Sequence, residues 1–319
     1  MCKDFCQGIS HYVQEVQTDV LGNTIAHKKG NGKKIMLVAH SDEVALMITS
    51  VDNDGFLHFK PYGCIDASLL PARTVKVLHN GSALVGVIGK RPIHLQRSDS
   101  ETSKILFEDL WIDIGAKDKE EALTMVEIGD YAYFDSQTAE LPNSLITGKS
   151  LDDRVGLSVL LQLAETLKDE DLNWNIYFVS SVQEEIGCRG AIAAAHNINP
   201  DYCIAIDVTH ATDYPTMNPL RDGDIRLNGG CVIAKGPNID GELFDLLKEC
   251  AKSTGVKYQI EAIPYPTGTD ANWVQVSNGG VKTALVSIPC RYMHTPQEIV
   301  SNEDVKSAIQ LIKCFLCKK

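Results

Sequence analysis

From residue 149 onwards, the chain alternates between two hydrophobic patterns. Short runs that are apolar throughout predict buried strands at 175–181, 202–207, 258–263 and 283–288. The segments between these runs carry apolar residues at helical spacing and predict helices at 153–168, 189–196, 241–254, 270–278 and 303–317. Strands without a polar face, separated by amphipathic helices, predict a sheet that helices cover on both sides.

The first 65 residues fit the same kind of domain. The sequence predicts a helix over 6–15, a short strand at 23–25 and an apolar strand at 34–39. It also predicts a hairpin over 44–59, which turns at Asp52-Asn53-Asp54-Gly55 because Asp-Gly steps favour tight turns. We expect these elements to extend the α/β domain.

Residues 66–148 show a different pattern. Short alternating strands are predicted at 74–78, 83–88, 105–112 and 131–134, broken by Gly, Pro and Asn, with one helix over 119–125. This pattern is typical of a small β-rich unit. We therefore predict an α/β domain made of residues 1–65 and 149–319, with a second, β-rich domain inserted at 66–148.

The composition argues against several classes of partner. The 319 residues include 30 Lys and Arg against 42 Asp and Glu, a formal net charge of −12 that does not suit binding to nucleic acid or anionic lipid. No apolar run approaches the roughly 18 residues of a membrane span, and the first residues do not resemble a signal peptide. The ten cysteines lack paired spacing, so we expect reduced thiols in a cytoplasmic protein.

Residues suited to metal chemistry follow several of the predicted strands. They are His40 and Asp42, Asp152 and Asp153, Glu184 and Glu185, Asp207, and His294. In sheets of this kind, ligands bind beyond the carboxyl ends of the strands. A dinuclear metal hydrolase needs one carboxylate that bridges two ions, further oxygen and nitrogen ligands, and one carboxylate left free as a base. The chain therefore has the residue types for such a site.

Most of these residues also have a simpler interpretation. Asp152 or Asp153 can cap the following helix, although two successive acids exceed what a cap requires. Glu184-Glu185 can form a solvated acidic turn, but after a buried strand we favour Glu185 as a ligand and Glu184 as a general base. Asp207 is a ligand, a helix cap or a loop charge.

The remaining candidates concern histidine orientation and substrate contact. Asp42 lies two residues after His40 and can accept the second ring N–H of that histidine. Asp270 precedes a helix and binds a substrate amine, orients a metal ligand or serves as a cap. Arg291 and Tyr292 follow the last apolar strand, and we expect them near the substrate.

Taken together, these motifs resemble the glutamyl, deblocking or TET-type family of dinuclear metallo-aminopeptidases. The resemblance covers nearly the whole chain in order and spacing. It rests on Ala39-His40-Ser41-Asp42-Glu43, Gly86-Val87-Ile88-Gly89, Ser150-Leu151-Asp152-Asp153-Arg154, Gln183-Glu184-Glu185-Ile186-Gly187, Asp207-Val208, Gly268-Thr269-Asp270-Ala271 and Arg291-Tyr292-Met293-His294-Thr295-Pro296. The chain departs from the family at Ser41, where an apolar residue is usual, and in a further helix that members carry before the one predicted near Cys6.

The resemblance implies an architecture and a set of roles. It implies a mixed sheet between helices, of the dinuclear zinc-peptidase type, with an inserted β-barrel-like dimerisation domain and assembly of dimers into dodecamers. It also implies two divalent ions per subunit, zinc or cobalt. The implied ligands are the bridging Asp152, then His40 and Asp207 for one ion, and Glu185 and His294 for the other. Glu184 is implied as the base and Asp42 as the partner of His40.

We therefore expect a cytoplasmic aminopeptidase that removes N-terminal residues from short peptides with a water activated by two metals. One alternative is a dinuclear deacylase or carboxypeptidase, which would need a cation to hold a substrate carboxylate. Some relatives have been labelled endoglucanases, but glycosidases need two carboxylates at a fixed separation and no metal. A non-enzymatic assembly protein is the third alternative, which the complete set of candidate ligands disfavours.

Overall fold

The computed structural model describes residues 2–95 and 104–318, with side chains from residue 4 onwards. Its helices are α1 (Cys2–Ile9), α2 (Lys119–Met125), α3 (Leu151–Leu167), α4 (Arg189–Ile198), α5 (Pro219–Asp222), α6 (Gly241–Thr254), α7 (Asp270–Gln275) and α8 (Asn302–Cys317). None of the helices in this described part is long and apolar enough to cross a membrane.

The strands belong either to one large sheet or to a closed barrel. Those of the sheet are β1 (Glu15–Thr18), β2 (Thr24–Lys28), β3 (Lys33–His40), β10 (Ala139–Leu141), β11 (Leu145–Gly148), β12 (Trp174–Ser181), β13 (Tyr202–His210), β14 (Cys231–Lys235), β15 (Tyr258–Ala262), β16 (Lys282–Arg291) and β17 (Glu298–Ser301). Those of the barrel are β4 (Ala45–Val51), β5 (Leu57–Tyr62), β6 (Thr74–His79), β7 (Ser82–Lys90), β8 (Leu110–Asp113) and β9 (Tyr131–Phe134).

The large sheet is mixed, and its centre is parallel. The strand order is β1-β2-β12-β3-β13-β16-β17-β11-β10, with β14 attached to β16 and β15 attached to β14. Within this order, β12, β3, β13 and β16 run parallel to one another. Their carboxyl ends therefore meet at one edge of the sheet, which is where side chains can converge.

Helices cover both faces of this sheet, as predicted. On β3, Ile35 and Leu37 pack into the core formed with α1, α3, α6 and α8. Met36 and Val38 point the other way, into the core formed with α4 and α7. Because successive side chains of a strand face opposite sides, a strand between two helix layers must be apolar at every position.

The β-rich domain is a closed six-stranded barrel with its own apolar core, and its boundaries differ from those predicted. The hairpin of β4 and β5, which we assigned to the α/β domain, is part of the barrel because β4 pairs with β9 and closes it. At the other end, β10 and β11 belong to the large sheet rather than to the insertion. The barrel strands therefore extend from residue 45 to residue 134 instead of lying within 66–148.

Two further predictions of local structure were wrong. The first helix spans Cys2–Ile9 rather than residues 6–15, and Glu15 already lies in β1. The predicted strand at 105–112 is largely replaced by a short 3-10 turn, Phe107–Asp109, followed by β8. Strands β14 and β17 were not predicted at all.

Candidate active site

A cavity of about 570 Å³ opens at the carboxyl ends of the parallel strands. His40 is the last residue of β3, Asp207 lies near the end of β13, and Glu184-Glu185 follows β12. Six of the predicted metal-binding and catalytic residues line this cavity: His40, Asp152, Glu184, Glu185, Asp207 and His294. The structure therefore brings together residues that lie up to 254 positions apart in the sequence, from 40 to 294.

Asp152 lies between two histidines. Its Oδ1 is 2.9 Å from His40 Nε2, and its Oδ2 is 3.2 Å from His294 Nε2. Asp152 belongs to the first turn of α3, whereas His294 lies in the turn between β16 and β17. One carboxylate thus presents a separate oxygen to each imidazole, as a bridging ligand must.

Each histidine has a second carboxylate nearby. Asp207 Oδ1 is 3.9 Å from His40 Nε2, and Glu185 Oε2 is 3.5 Å from His294 Nε2. Ligand atoms of His40, Asp152 and Glu185 all lie within 4.8 Å of one another. The residues thus form two overlapping groups of oxygen and nitrogen donors that share Asp152.

Asp153 has a different environment from its neighbour. Its Oδ1 accepts a hydrogen bond from the Gly156 amide (3.0 Å), and its Oδ2 accepts one from the His40 amide (3.2 Å). Asp153 therefore caps α3, since both of its oxygens are occupied by backbone donors. Of the two successive acids, Asp152 is the one whose oxygens face the histidines.

Asp42 supports both sides of the cavity. Its Oδ1 lies 3.6 Å from His40 Nδ1, and its own carbonyl oxygen is closer to that nitrogen, at 3.1 Å. The Asp42 carboxylate also accepts the backbone N–H groups of Glu184 (3.0 Å) and Glu185 (3.2 Å) and the Tyr62 hydroxyl (3.3 Å). It fixes the glutamate pair as well as the histidine, which the sequence pattern did not indicate.

Glu184 lies beside these donor groups. Among the described residues, neither His40 nor His294 forms an ion pair with it. The Cys188 thiol donates a hydrogen bond to its Oε1 at 3.3 Å. Burial raises the pKa of Glu184 to about 8. A carboxyl group in this position can hold or release a proton near neutral pH, which is the requirement for a general acid–base group.

The charges around the cavity suit divalent cations. Burial raises the pKa of Asp207 well above its usual range and that of Glu185 to about 7, and neighbouring acids contribute to both shifts. Burial disfavours protonation of His40, but hydrogen bonds to Asp152 and Asp42 outweigh it and raise the pKa of His40. Among the described residues, no Lys or Arg forms an ion pair with the carboxylates lining the cavity. Such a set of acids and imidazoles is the donor chemistry of zinc and related ions.

Glu298 is a site residue that we did not predict. It is 2% exposed at the start of β17, and its two oxygens accept the backbone N–H groups of Asp152 (3.1 Å) and His294 (2.9 Å). One buried carboxylate thus fixes the backbone of two donors that come from different elements. In the sequence, Glu298 is distinguished only by lying four residues after His294. That spacing by itself does not indicate a metal site.

Glu298→Ala is expected to weaken metal binding by about 10- to 100-fold, because outer residues that orient ligands typically contribute that much. Saturating metal should restore most of the activity. Competition against a chromogenic chelator measures the affinity. The control is Glu303→Ala, which removes an exposed carboxylate that pairs with Lys306 on α8. Equal affinities in Glu298→Ala and the wild type would contradict this role.

The three residues expected to contact substrate do not line the cavity. Asp270 is 3% exposed and accepts a hydrogen bond from the Ser181 hydroxyl. Arg291 is held by Asp213 through two contacts of 2.7 Å, so its guanidinium is already paired. The ring of Tyr292 lies 5.7 Å from that of Tyr214 and is 45% exposed.

The backbone adopts left-handed conformations at non-glycine residues around the site. Positive φ angles occur at Ser150 (56°), Gln183 (60°), Cys188 (55°), Tyr292 (62°) and His294 (59°). Such conformations cost free energy and cluster at functional sites, where the surrounding structure maintains them. These residues belong to or flank the segments that carry Asp152, Glu184-Glu185 and His294.

A mixed sheet between helices, with paired histidines and carboxylates at its carboxyl edge, defines a metal-dependent hydrolase. Comparison with known proteins gives the family. A sequence model described as M42 glutamyl aminopeptidase matches residues 22–311. The lysyl aminopeptidase of Pyrococcus furiosus is 39% identical over 306 residues, which are 95% of this chain and 86% of that protein.

Solved structures agree with this match. Aminopeptidase APDkam598 from the archaeon Desulfurococcus kamchatkensis superposes with a TM-score of 0.93 and 35% identity, covering 100% of this chain and 89% of that one. The Pyrococcus horikoshii TET1 peptidase superposes with a TM-score of 0.87 and 31% identity, covering 99% of this chain and 93% of that one. The chain belongs to the M42 family, and its activity class is that of a metal-dependent aminopeptidase.

Proposed function

We propose that this protein removes N-terminal residues from short peptides, using a water molecule activated by two divalent metal ions. The observation that carries the proposal is Asp152, whose two oxygens face His40 and His294 separately. A carboxylate in that arrangement suits two ions, whereas a single ion would leave one half of the donor set unused.

The proposed ligands follow from these contacts. His40, Asp152 and Asp207 hold one ion, and Asp152, Glu185 and His294 hold the other. When bound, zinc or cobalt ions lower the pKa of water and polarise the scissile carbonyl. Asp42 and Glu298 keep the ligands in place through the hydrogen bonds described above.

Glu184 is the proposed general base. It lies in the cavity next to Glu185 and is hydrogen-bonded to Cys188 rather than to a histidine. The deprotonated Glu184 accepts a proton from the attacking water, and its carboxyl group then donates that proton to the leaving amine. These two transfers complete hydrolysis and return Glu184 to its starting state.

The lining of the cavity favours an aminopeptidase over the related alternatives. A carboxypeptidase or a deacylase acting on acidic products needs a cation for the substrate carboxylate. No Lys or Arg is among the described residues that line the cavity. An acidic lining instead suits the positive charge of a free N-terminal amine.

The names of relatives leave the preferred N-terminal residue open. The family description is glutamyl aminopeptidase, and one relative is a lysyl aminopeptidase. The TET1 peptidase can assemble into a tetrahedron or a large octahedral shell. A similar homo-oligomer, with the barrel as the dimerisation domain, is supported here by exposed apolar side chains on it, Leu78, Val85 and Val87.

Elemental analysis of protein purified without chelator is expected to find about two equivalents of zinc or cobalt per chain. A chelator should abolish cleavage of aminoacyl-nitroanilides, and either ion should restore it, because the donor set binds both. N-acetylated substrates should resist cleavage, since they lack the free amine. A protein that binds no added metal, or that cleaves blocked and free substrates equally, would contradict the proposal.

A further inference from the structure

The cavity contains a carboxylate that the proposed chemistry does not use. Glu261, in strand β15, lines the cavity together with the proposed ligands. Its Oε2 accepts a hydrogen bond from the Thr209 hydroxyl at 2.8 Å, which orients the carboxylate. No Lys or Arg in the described part of the chain forms an ion pair with Glu261.

Glu261 is hydrogen-bonded to the strand that carries the proposed ligand Asp207. Thr209 follows the proposed ligand Asp207 by two residues on β13, and both line the cavity. Residues two apart on a strand face the same side and are separated by about 6.6 Å along it. A substrate whose scissile carbonyl lies beside Asp207 can therefore direct the side chain of its first residue towards Glu261.

We infer that Glu261 selects peptides that begin with a cationic residue, lysine or arginine. The four-carbon stem of lysine and the longer arginine side chain can span a step of about 6.6 Å along β13, from Asp207 to the residue that binds Glu261. A charge-assisted hydrogen bond is stronger than a neutral one, and its partner in the cavity is already oriented by Thr209. Acidic first residues meet Glu261 without any compensating lysine or arginine among the described lining residues.

This inference rests on the proposed aminopeptidase function. A pair of matched substrates tests the role of Glu261 separately from that function. Lysyl- and norleucyl-nitroanilide share an unbranched apolar stem, but norleucine has no ammonium group. The wild type is expected to show a kcat/KM about 10- to 100-fold higher for lysine, the usual range for a charged hydrogen bond. Glu261→Gln should reduce this ratio to roughly one.

Two further variants make the test decisive. Glu261→Lys should lower the ratio of lysyl to glutamyl cleavage by reversing the charge. Glu249→Gln removes an equivalent charge from α6, where Glu249 is exposed and pairs with Lys318, and it should keep the wild-type ratios. Two results would overturn selection by Glu261 and leave the proposed aminopeptidase function intact. One is chelator-sensitive cleavage of lysyl- and norleucyl-nitroanilide with equal kcat/KM, and the other is a lysyl preference that Glu261→Gln does not change. Cleavage of glutamyl-nitroanilide, but of neither lysyl- nor norleucyl-nitroanilide, would overturn this inference and leave the proposed function intact. A wild type that cleaves no aminoacyl-nitroanilide would overturn both.

Discussion

Glu184→Gln is expected to lower kcat by a factor on the order of 10²–10⁴ while both metal ions stay bound. The amide keeps the shape of the side chain but can neither accept the proton of the attacking water nor pass it to the leaving amine. Because Glu184 is not among the proposed ligands, its loss should leave metal stoichiometry unchanged. Rapid-mixing kinetics with a chromogenic substrate, alongside elemental analysis, measures both quantities.

The neighbouring glutamate provides a matched control for this variant. Glu185→Gln introduces the same chemical change one residue away, but Glu185 Oε2 faces His294 at 3.5 Å. That variant should lose metal from the His294 site together with activity. Substantial turnover in Glu184→Gln, or loss of metal from it, would assign the base to another group.

Asp152→Asn should abolish activity through metal loss instead. The amide offers one oxygen where the carboxylate offers two, and its NH2 group is not a metal ligand, so it cannot hold both proposed ions. We expect fewer than two ions per chain and a loss of metal affinity exceeding the 10- to 100-fold effect of outer residues. Isothermal titration of metal-free protein with zinc would report the number of sites and their affinities.

Asp153→Asn is the corresponding control. Both oxygens of Asp153 accept backbone N–H groups, so an amide nitrogen there opposes one donor and should cost stability of about 1–3 kcal/mol. The number of metal sites should remain two. If Asp153→Asn lost metal and Asp152→Asn retained it, the roles of the two acids would be the reverse of those proposed.

The central strands were predictable because of their position between two helix layers. Ile35 and Met36 of β3 enter different cores, so both had to be apolar, and the same holds along β12 and β13. Functional groups could then be sought where the apolar runs end. His40 and Asp207, two of the proposed ligands, were selected from the sequence in this way.

The limits of prediction have equally physical causes. The hairpin of β4 and β5 has the apolar and polar pattern of any half-buried hairpin, and only the pairing of β4 with β9 assigns it to the barrel. Strand β17 is four residues long with polar ends, which is too short for a periodic signal. Its first residue, Glu298, acts through backbone groups that are distant in sequence, and no local pattern marks such a contact.

Pairing also explains why candidate substrate contacts were harder to select from the sequence than candidate metal ligands. Arg291 lies near the site in sequence, but Asp213 already neutralises it. Glu261 resembles an ordinary polar position on a strand, and its proposed role depends on a hydrogen bond from Thr209 on another strand. A ligand needs the right atom type at a strand end, whereas a specificity pocket depends on which side chains remain unpaired after folding.

The proposed ligands come from β3, α3, β13 and the segments that follow β12 and β16, so no single element or neighbouring pair of elements contains a complete site. Metal binding is then linked to the folding equilibrium of the whole α/β domain, and occupancy stabilises the folded form by mass action. Loss of order in any one of these elements removes donors from at least one of the two proposed ion sites. A copy in which any one of these elements is unfolded therefore has an incomplete site, and the protein's activity reports the integrity of its whole α/β domain.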